Sequence, residues 1–134
     1  LYLKTNIVFM NIINVVAGVI TKGNLFFIAQ RNKKKHLGLK WEFPGGKVDK
    51  NETNEEALKR EIKEELDINI IVKKKITEEK YKDETVNIIL HYYFCTITDG
   101  KINLNEHENS IWVTRDNFNQ YDMIDGDRNI IRFL

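Results

Sequence analysis

Three glutamates with helical spacing, Glu61, Glu64 and Glu65, are the residues of this sequence best suited to chemistry. Spacings of three and four residues bring side chains together on one arc of a helix. Carboxylates crowded in this way repel one another, and two partners could offset that repulsion. One is Arg60, which lies four residues before Glu64. The other is a divalent cation such as Mg²⁺, which prefers hard oxygen ligands.

A predicted helix positions these glutamates. Thr53 is a good N-cap residue, and Glu56 three residues later completes a capping box. We expect the helix to run to about Leu66 or Asp67. An apolar stripe on this helix would pack on a sheet and place the glutamates at the edge of a buried face. Taken alone, such a charged helix is more typical of a solvent-exposed surface joined by salt bridges.

The loop before the helix changes this assessment. Gly45 and Gly46 follow Pro44, the only proline of the chain. Glycine lets the backbone approach a phosphate or a metal closely, and it adopts dihedral angles that other residues resist. A glycine pair alone is equally typical of a tight turn. The loop indicates a functional site only when its spacing from the helix is also considered.

The loop and the helix together match a long spaced pattern. Gly46 is followed by five residues, Glu52, seven residues, the run Arg60-Glu61-Ile62-Lys63-Glu64-Glu65 and, after two more, the apolar Ile68. This pattern resembles the Nudix box, and every defined position agrees except the late glycine, which is Asp67 here. That glycine caps the helix in the left-handed conformation, which Asp tolerates at modest cost. We therefore expect slightly lower stability and no loss of chemistry.

The resemblance implies a metal site. In the Nudix family the two glutamates that close the box ligate Mg²⁺ with help from a backbone carbonyl of the glycine turn. Here these groups are Glu64, Glu65 and the carbonyl of Gly45. Glu61 matches the residue that ligates metal or acts as the general base. Mg²⁺ is the expected cofactor, and Mn²⁺ is an expected substitute.

The other box residues have supporting roles in the family. Arg60 resembles the arginine that orients the carboxylates, and Glu52 resembles the glutamate that pairs with it. The segment "WEFPGGK" resembles the MutT-type branch, whose members hydrolyse nucleoside triphosphates. This resemblance implies that Gly46 and Lys47 lie beside the substrate.

Three matches outside the box are looser. Arg31 corresponds to an arginine near the substrate phosphates, and an exposed loop arginine is an equal alternative. Asp127 resembles the residue that hydrogen-bonds a nucleobase edge at the head of the last helix, although it would serve equally as the N-cap of that helix. Glu106 resembles a loop glutamate that supplies a further metal ligand or the general base. Glu108 is a rival for that role, and the choice of base between Glu61 and Glu106 stays open.

The remaining candidate residues are expected to be structural. Cys95 is the only cysteine and cannot form an intramolecular disulfide, so we expect it in the core of a protein from a reducing, cytoplasmic compartment. Trp41 and Trp112 are expected to pack on the sheet. The histidines are not at metal-ligand spacing, and surface or strand packing is expected for each: His36, His91 and His107.

Strand patterns surround the helix. The segments 12–20 and 25–30 predict a hairpin around the turn "TKGN". Further elements are expected as follows: a short extended piece at 39–43, a loop from there to Glu52, strands at 68–81, 85–97 and 110–114, and an amphipathic helix at 127–134. This order predicts a mixed sheet covered on both faces. The resemblance implies a Nudix-type α/β/α sandwich, an α/β (α+β) fold with a curved mixed sheet between helices.

Length and charge limit the alternatives. The chain of 134 residues suits one domain, 1–134. With 21 basic and 20 acidic residues, the protein exerts no strong net attraction on nucleic acid or on an anionic membrane. The lysine triplets at 33–35 and 73–75 are expected to be mainly solubilising. Met10 is a candidate natural start, in which case Leu1–Phe9 are an upstream extension or an artificial remnant.

The expected activity is Mg²⁺-dependent hydrolysis of a (deoxy)nucleoside triphosphate to a nucleoside monophosphate and pyrophosphate. An oxidised nucleotide such as 8-oxo-dGTP is one candidate substrate, and a CTP-type pyrimidine triphosphate is a close competitor. ADP-ribose, a dinucleotide polyphosphate and NADH are alternatives, and a non-catalytic nucleotide-binding module ranks lower because the box carboxylates are all present. The expected partner is the nucleotide, without a stable nucleic-acid partner, for a monomer or a homodimer.

Overall fold

A computed structural model describes residues 11–134, so the predictions for Leu1–Phe9 and Met10 lie outside the described residues. The strands are β1 (Ile12–Lys22), β2 (Leu25–Gln30), β3 (Trp41–Glu42), β4 (Gly45–Lys47), β5 (Asn69–Lys82), β6 (Asn87–Asp99) and β7 (Asn109–Thr114). The helices are α1 (Asn54–Leu66), a 3-10 helix (Arg115–Gln120), α2 (Asp125–Ile130) and a final 3-10 helix (Ile131–Phe133). No helix within residues 11–134 is long and apolar enough to cross a membrane.

The first strand organises a curved mixed sheet. Nine residues of β1, from Ile12 to Ile20, pair in parallel with β6. The same strand pairs antiparallel with β4 along one edge and with β2 at its end, across the predicted hairpin. The path through the sheet is β3-β2-β1-β6-β5, with β7 also paired to β2. The apolar β6 is therefore central, as its sequence predicts.

Two apolar clusters cover the two faces of this sheet. Alternate residues of β1 divide between them, because successive side chains of a strand point to opposite faces. Val16 and Ile20 belong to the cluster that contains the buried face of α1. Ala17 and Val19 belong to the cluster that packs under the C-terminal helices. The layered α/β/α arrangement expected from the sequence is confirmed.

Helix α1 begins and ends close to the predicted positions. The Thr53 hydroxyl accepts from the Glu56 N–H, and the Glu56 carboxylate accepts from the Thr53 N–H, so the predicted capping box is present. The helix ends at Leu66, and Asp67 follows in the left-handed conformation with φ 58°. Its apolar stripe, including Leu58 and Ile62, is fully buried.

Two element predictions need correction. The extended piece around β3 is limited to Trp41 and Glu42, because Leu39 adopts a positive φ of 68° that no strand allows. The last helix begins earlier than expected, at Asp125, with Ile124 at the N-cap. Asp127 therefore lies inside the first turn, and its predicted alternative role as an N-cap is wrong.

Most residues expected to be structural lie as predicted: Cys95 is buried, His36 is on the surface, Trp41 and Trp112 are half-buried in sheet strands, and His107 is an exception described below. Cys95 is fully buried in the α1-side cluster, and burial raises the pKa of its thiol to about 12. His91 lies in β6 and contacts Asn14 and Lys75. The lysine triplet that ends at Lys75 belongs to β5, at the end of the sheet path, which suits edge decoration.

Candidate active site

A cleft of about 360 Å³ lies where α1, β1 and the β3–β4 segment meet. Three residues of β1, Val15 to Ala17, line it. Its charged lining combines acidic and basic side chains: Arg31, Lys35, Glu42, Glu61, Glu65 and Glu106. The fold thus brings carboxylates of α1 into the same cleft as two basic side chains, Arg31 and Lys35, from the loop after β2.

The two glycines are required for close packing, and the loop prediction for them is wrong. Gly45 and Gly46 form part of β4, and neither has a positive φ. A Cβ on Gly45 would collide with the carbonyl oxygen of Val16 in β1. A Cβ on Gly46 would lie 2.7 Å from Oε1 of Glu61. Each glycine therefore leaves room for a neighbour, the first for a strand and the second for a carboxylate.

Arg60 holds several carboxylates together beside the cleft. Its Nε donates to Glu52 Oε2 at 2.7 Å, and its Nη2 donates to Glu52 Oε1 at 2.8 Å. Nη1 donates to Glu61 Oε1 at 2.9 Å. The bidentate contact with Arg60 lowers the pKa of Glu52 to about 2. The arrangement matches the orienting role that the box resemblance implies for this arginine.

Among the carboxylates that α1 contributes to the cleft, Glu65 is buried and Glu61 is half-buried. Burial raises the pKa of Glu61, and the contacts with Arg60 oppose that rise. Burial, together with the charges of Glu42, Glu61 and Glu106, raises the pKa of Glu65 to about 9. Among the described residues, Oε2 of Glu65 has no hydrogen-bond partner. A buried carboxylate without a partner is unstable in its ionised form, and a bound cation would stabilise that form.

Four predicted site residues lie outside the cleft lining. The Glu64 side chain is 57% exposed and approaches Arg60 Nη1 at 3.5 Å. Lys47 is exposed, and its backbone carbonyl accepts from Arg60 Nη2 at 3.0 Å. Glu52 and Arg60 also stand behind the cleft rather than in its lining.

The loop before β7 brings Glu106 to the cleft and leaves Glu108 outside it. Glu106 lines the cleft, and its Oε1 lies 3.9 Å from Nζ of Lys35. Glu108 instead accepts from the backbone N–H of Lys33 at 3.3 Å. Lys35 of the lysine triplet at 33–35 therefore belongs to the cleft, although the triplet alone favours a solubilising role over the alternative of a local phosphate-binding patch.

Sequence reasoning missed two residues of the site, Glu42 and His107. The His107 side chain is only 4% exposed, and its Nε2 lies 2.9 Å from Glu42 Oε2 and 3.8 Å from Glu65 Oε1. The prediction of surface or strand packing for His107 is wrong, because the loop turns this side chain inward against α1. Burial raises the pKa of Glu42, but hydrogen bonds from His107 and Arg31 outweigh burial and lower it. The only available signals were Glu42 within "WEFPGGK" and the adjacency of His107 to Glu106.

The two looser candidates, Arg31 and Asp127, also line the cleft. Arg31 is not an exposed loop arginine, since Nη1 donates to Glu42 Oε1 at 2.8 Å. Both oxygens of Asp127 are engaged: Oδ2 accepts from the Phe43 N–H at 2.8 Å, and Oδ1 accepts from the Tyr92 hydroxyl at 2.6 Å. Burial raises the pKa of Asp127 to about 7, against the effect of these two bonds. Asp127 thus joins α2 to the floor of the cleft.

Asp67, the departure from the box pattern, has a positive structural role. Its carboxylate accepts from Asn103 at 3.0 Å and from Asn105 at 3.1 Å. Asn105 also binds the carbonyl oxygen of Glu64 through its side chain and that of Glu65 through its backbone. Asp67 therefore anchors the start of the loop that carries Glu106.

Asp67→Gly is expected to keep stability and lose activity. Glycine relieves the left-handed conformation but removes the two acceptor contacts, so the melting temperature should stay within about 4 °C of wild type. The loop that carries Glu106 should then be held less firmly. We expect this to lower kcat/KM about tenfold, because residues that orient site residues have effects of this size. Asp67→Asn keeps one acceptor oxygen and is the matched control. Equal activities of Asp67→Gly and wild type would contradict the anchoring role.

The described fold and cleft agree with a known protein family. Residues 12–134 match the family model of the NUDIX domain, so the chain belongs to that family. The solution NMR structure of DNA mismatch repair protein MutT, a Nudix hydrolase from methicillin-resistant Staphylococcus aureus 252, is 35% identical with a TM-score of 0.75. That similarity covers 92% of this chain and 95% of the other. Within the family, the chain is a MutT-like Nudix hydrolase, an enzyme of the pyrophosphohydrolase class.

Curated relatives carry two different substrate names. The 8-oxo-dGTP diphosphatase of Buchnera aphidicola subsp. Schizaphis graminum is 32% identical over 125 residues, covering 93% of this chain and 95% of that protein. The CTP pyrophosphohydrolase of Escherichia coli strain K12 is 31% identical over 120 residues, covering 88% of this chain and 87% of that protein. A 59-residue match to the 8-oxo-dGTP diphosphatase of Proteus vulgaris reaches 54% identity, but it spans 43% of this chain and only 53% of that protein.

Proposed function

We propose that this enzyme hydrolyses a (deoxy)nucleoside triphosphate to a nucleoside monophosphate and pyrophosphate with the help of Mg²⁺. The observation that carries the proposal is the mixed charge of the cleft. Its lining includes the α1 carboxylates Glu61 and Glu65 as well as the basic side chains Arg31 and Lys35. A polyphosphate chain needs cations for its oxygens, and a metal site needs carboxylates. The cleft offers both within one space.

The residues present fit a divalent cation. Glu65 has a buried oxygen without a partner among the described residues, and burial together with the surrounding carboxylates raises the pKa of its carboxyl group. A cation would give that oxygen a partner and would lower the pKa. Mg²⁺ would be held by Glu64, Glu65 and the carbonyl of Gly45, with Glu61 or Glu106 as further ligands. When bound, Mg²⁺ neutralises phosphate charge and acidifies water. Mn²⁺, which also accepts oxygen ligands, would be able to replace it.

The remaining residues of the chain take defined roles in this proposal. Arg31 and Lys35 bind phosphate oxygens and orient the chain. Glu61, held in place by Arg60 and Glu52, accepts the proton of the attacking water, and Glu106 is the alternative base. Gly46 leaves space for the Glu61 carboxylate, and Lys47 supplies positive charge near the cleft. Asp127 meets the nucleobase from the floor of the cleft.

Two substrate classes have specific support. The full-length similarity to an 8-oxo-dGTP diphosphatase favours an oxidised purine nucleotide, in a role that clears damaged precursors of DNA. The nearly equal similarity to a CTP pyrophosphohydrolase favours a pyrimidine triphosphate. The pKa of the Asp127 carboxyl group is near neutrality, so this group is able to donate a hydrogen bond when protonated and to accept one when ionised. The two nucleobases differ in the hydrogen-bond partner that they require at this position.

The decisive experiment is a panel of nucleotides with Mg²⁺ in which the products are separated and identified. The panel contains 8-oxo-dGTP, dGTP, CTP, dCTP, ADP-ribose and a dinucleotide polyphosphate. We expect release of pyrophosphate and a nucleoside monophosphate from a triphosphate, and loss of that activity in Glu64→Gln. Turnover of none of these compounds by the wild-type enzyme would refute the proposal.

A matched control separates the metal role from a general charge effect. Glu55→Gln makes the same chemical change on the exposed face of α1, outside the cleft, and should retain full activity. Mg²⁺ together with a nonhydrolysable triphosphate should raise the melting temperature of the wild-type enzyme, because ligands that bind only the folded state stabilise it. Glu64→Gln should show a smaller rise than Glu55→Gln.

A further inference from the structure

A continuous row of side chains connects the cation side of the cleft to the helix carboxylates. Arg31 Nη1 donates to Glu42 Oε1 at 2.8 Å, so one oxygen of Glu42 is occupied. The other oxygen, Oε2, lies 2.9 Å from Nε2 of His107. Nε2 of His107 also faces Glu65 Oε1 at 3.8 Å. The imidazole ring of His107 therefore lies between Glu42 of β3 and Glu65 of α1.

This imidazole and the two carboxylates beside it are largely buried. The exposed fractions of the side chains are 4% for His107, 6% for Glu65 and 14% for Glu42. Within the described part of the chain, Oε2 of Glu65 and Nδ1 of His107 lack hydrogen-bond partners. Buried polar atoms without partners are uncommon and indicate a role beyond packing.

The backbone holds His107 in place independently of any ligand. On one side of it, the Asn105 N–H donates to the Glu65 carbonyl at 3.1 Å. On the other side, the Glu108 N–H donates to the Gln30 carbonyl at 2.9 Å. The loop is thus fastened to α1 before His107 and to β2 after it. The ring is preorganised between the two elements it touches.

The nitrogen of His107 that faces the two carboxylates is a hydrogen-bond donor rather than a metal ligand. A carboxylate only accepts, so Nε2 must carry the proton in the bond to Glu42. A protonated Nε2 has no lone pair to offer a cation, and Glu65 Oε1 lies 3.8 Å from this same nitrogen. Nδ1 of His107 has no hydrogen-bond partner within the described residues, and ligation through Nδ1 is the alternative that the experiment below distinguishes.

We propose that His107 is a positioning residue for Glu65. Its Nε2–H is donated to Glu42 and lies 3.8 Å from Glu65 Oε1, which is too far for a hydrogen bond but close enough to attract that oxygen electrostatically. This attraction favours the orientation of the Glu65 carboxylate that leaves Oε2 available to a divalent cation. This inference rests on the proposed function, because it assigns to Glu65 the metal-binding role given above. It adds that metal affinity depends on Glu42 and His107, two residues outside the Nudix box.

The test compares His107→Leu, which removes the donor, with His107→Gln, which retains a side-chain N–H donor. His36→Leu, an exposed histidine of the loop after β2, is the matched control. The Kd for Mn²⁺ alone is measured from the electron paramagnetic resonance signal of free aqueous Mn²⁺. Separate measurements give kcat, KM and the metal-free melting temperature.

We expect His107→Leu to weaken Mn²⁺ binding about 10- to 100-fold, as is typical for residues that orient metal ligands. His107→Gln should recover most of this loss, and His36→Leu should bind Mn²⁺ like wild type. The loss of activity in His107→Leu should lie in kcat at low metal and be relieved by excess Mn²⁺. A residue that only supports folding would lower the melting temperature and leave the Kd for Mn²⁺ unchanged.

Three results would overturn this inference. The first is an unchanged Kd in His107→Leu. The second is an equal defect in His107→Gln and His107→Leu, which would show that the donor is not the relevant group. The third is nitrogen hyperfine coupling to bound Mn²⁺ that disappears in His107→Leu, which would make His107 a ligand. Weakened Mn²⁺ binding in His107→Leu, in an enzyme that hydrolyses no nucleotide, would refute the proposed function and leave the positioning role supported.

Discussion

Glu65→Gln is expected to remove nearly all hydrolytic activity and, in metal-free protein, to increase stability. The activity loss should be about 10³-fold, because metal coordination supplies several kcal/mol of charge stabilisation and each 1.4 kcal/mol corresponds to a factor of ten. The gain in stability arises because glutamine removes a carboxyl group that is only 5% exposed and whose pKa burial raises to about 9. Function and stability should therefore change in opposite directions.

The pH dependence of this effect has a definite sign. The folded state retains the proton of Glu65 up to about pH 9, whereas an unfolded chain releases it near the ordinary pKa of 4.5. The unfolded state therefore binds fewer protons between these values, and the wild-type free energy of unfolding should fall as the pH rises through this window. Glutamine lacks this proton, so the advantage of Glu65→Gln should increase with pH and level off above pH 9. Because a shift of one pKa unit corresponds to about 1.4 kcal/mol and local rearrangement reduces the effect, we expect a final advantage of about 1–3 kcal/mol.

The measurement is urea unfolding in EDTA at several pH values, with Glu55→Gln as the control for loss of an exposed charge. Added Mg²⁺ should reverse the order of stability, because only the wild type keeps the complete ligand set. An advantage of Glu65→Gln that does not change with pH would contradict the buried state of this carboxyl group. Retention of wild-type activity would contradict its role as a metal ligand.

Alanine at the two neighbouring glycines should produce two different defects. In Gly45→Ala the new Cβ meets the backbone of β1, including Ala17 Cα at 2.8 Å, and a strand backbone cannot rotate away. Pairing of β4 with β1 should be disrupted at a cost of about 3 kcal/mol in the free energy of unfolding. In Gly46→Ala the Cβ meets the carboxylate of Glu61, which can turn aside at a cost of about 1 kcal/mol.

The displaced carboxylate should be visible in the kinetics. Because a misplacement of about 1 Å in a catalytic group can cost 10²-fold, Gly46→Ala should lower kcat/KM about 100-fold in a folded protein. The two variants are controls for each other, since the chemical change is identical and the positions are adjacent. Equal stabilities for both variants, or normal activity in Gly46→Ala, would show that the collision with Glu61 does not govern this position.

Local signals in the sequence were sufficient for the main helix and for the first hairpin. The capping box of Thr53 and Glu56 and the turn at Gly23 involve residues close in sequence, so their chemistry is visible without a fold. The relative placement of Arg60, Glu52 and Glu61 followed from the box spacing. In each case the partners lie within a few residues of one another or within a pattern of fixed length.

The features that could not be predicted depend on contacts between distant segments. Glu42 and His107 are 65 residues apart, and only the approach of the β7 loop to α1 brings them together. The glycines at 45 and 46 suggested a turn, because their neighbours Val16 and Glu61 cannot be identified without the sheet. Asp127 suggested a cap, but its bonds to Phe43 and Tyr92 hold it inside the helix.

The parallel pairing of β1 with β6 determines when the cleft can form during folding. Ile12 lies opposite Asn87, so the chain must close a loop of 75 residues before this pairing exists. Long-range parallel pairing forms slowly, because the entropy of loop closure is lost before the contacts compensate for it. Val15, Val16 and Ala17 line the cleft from this same part of β1. We therefore expect the complete cleft, and with it the metal and nucleotide binding proposed for it, to be acquired only after this long-range pairing has formed.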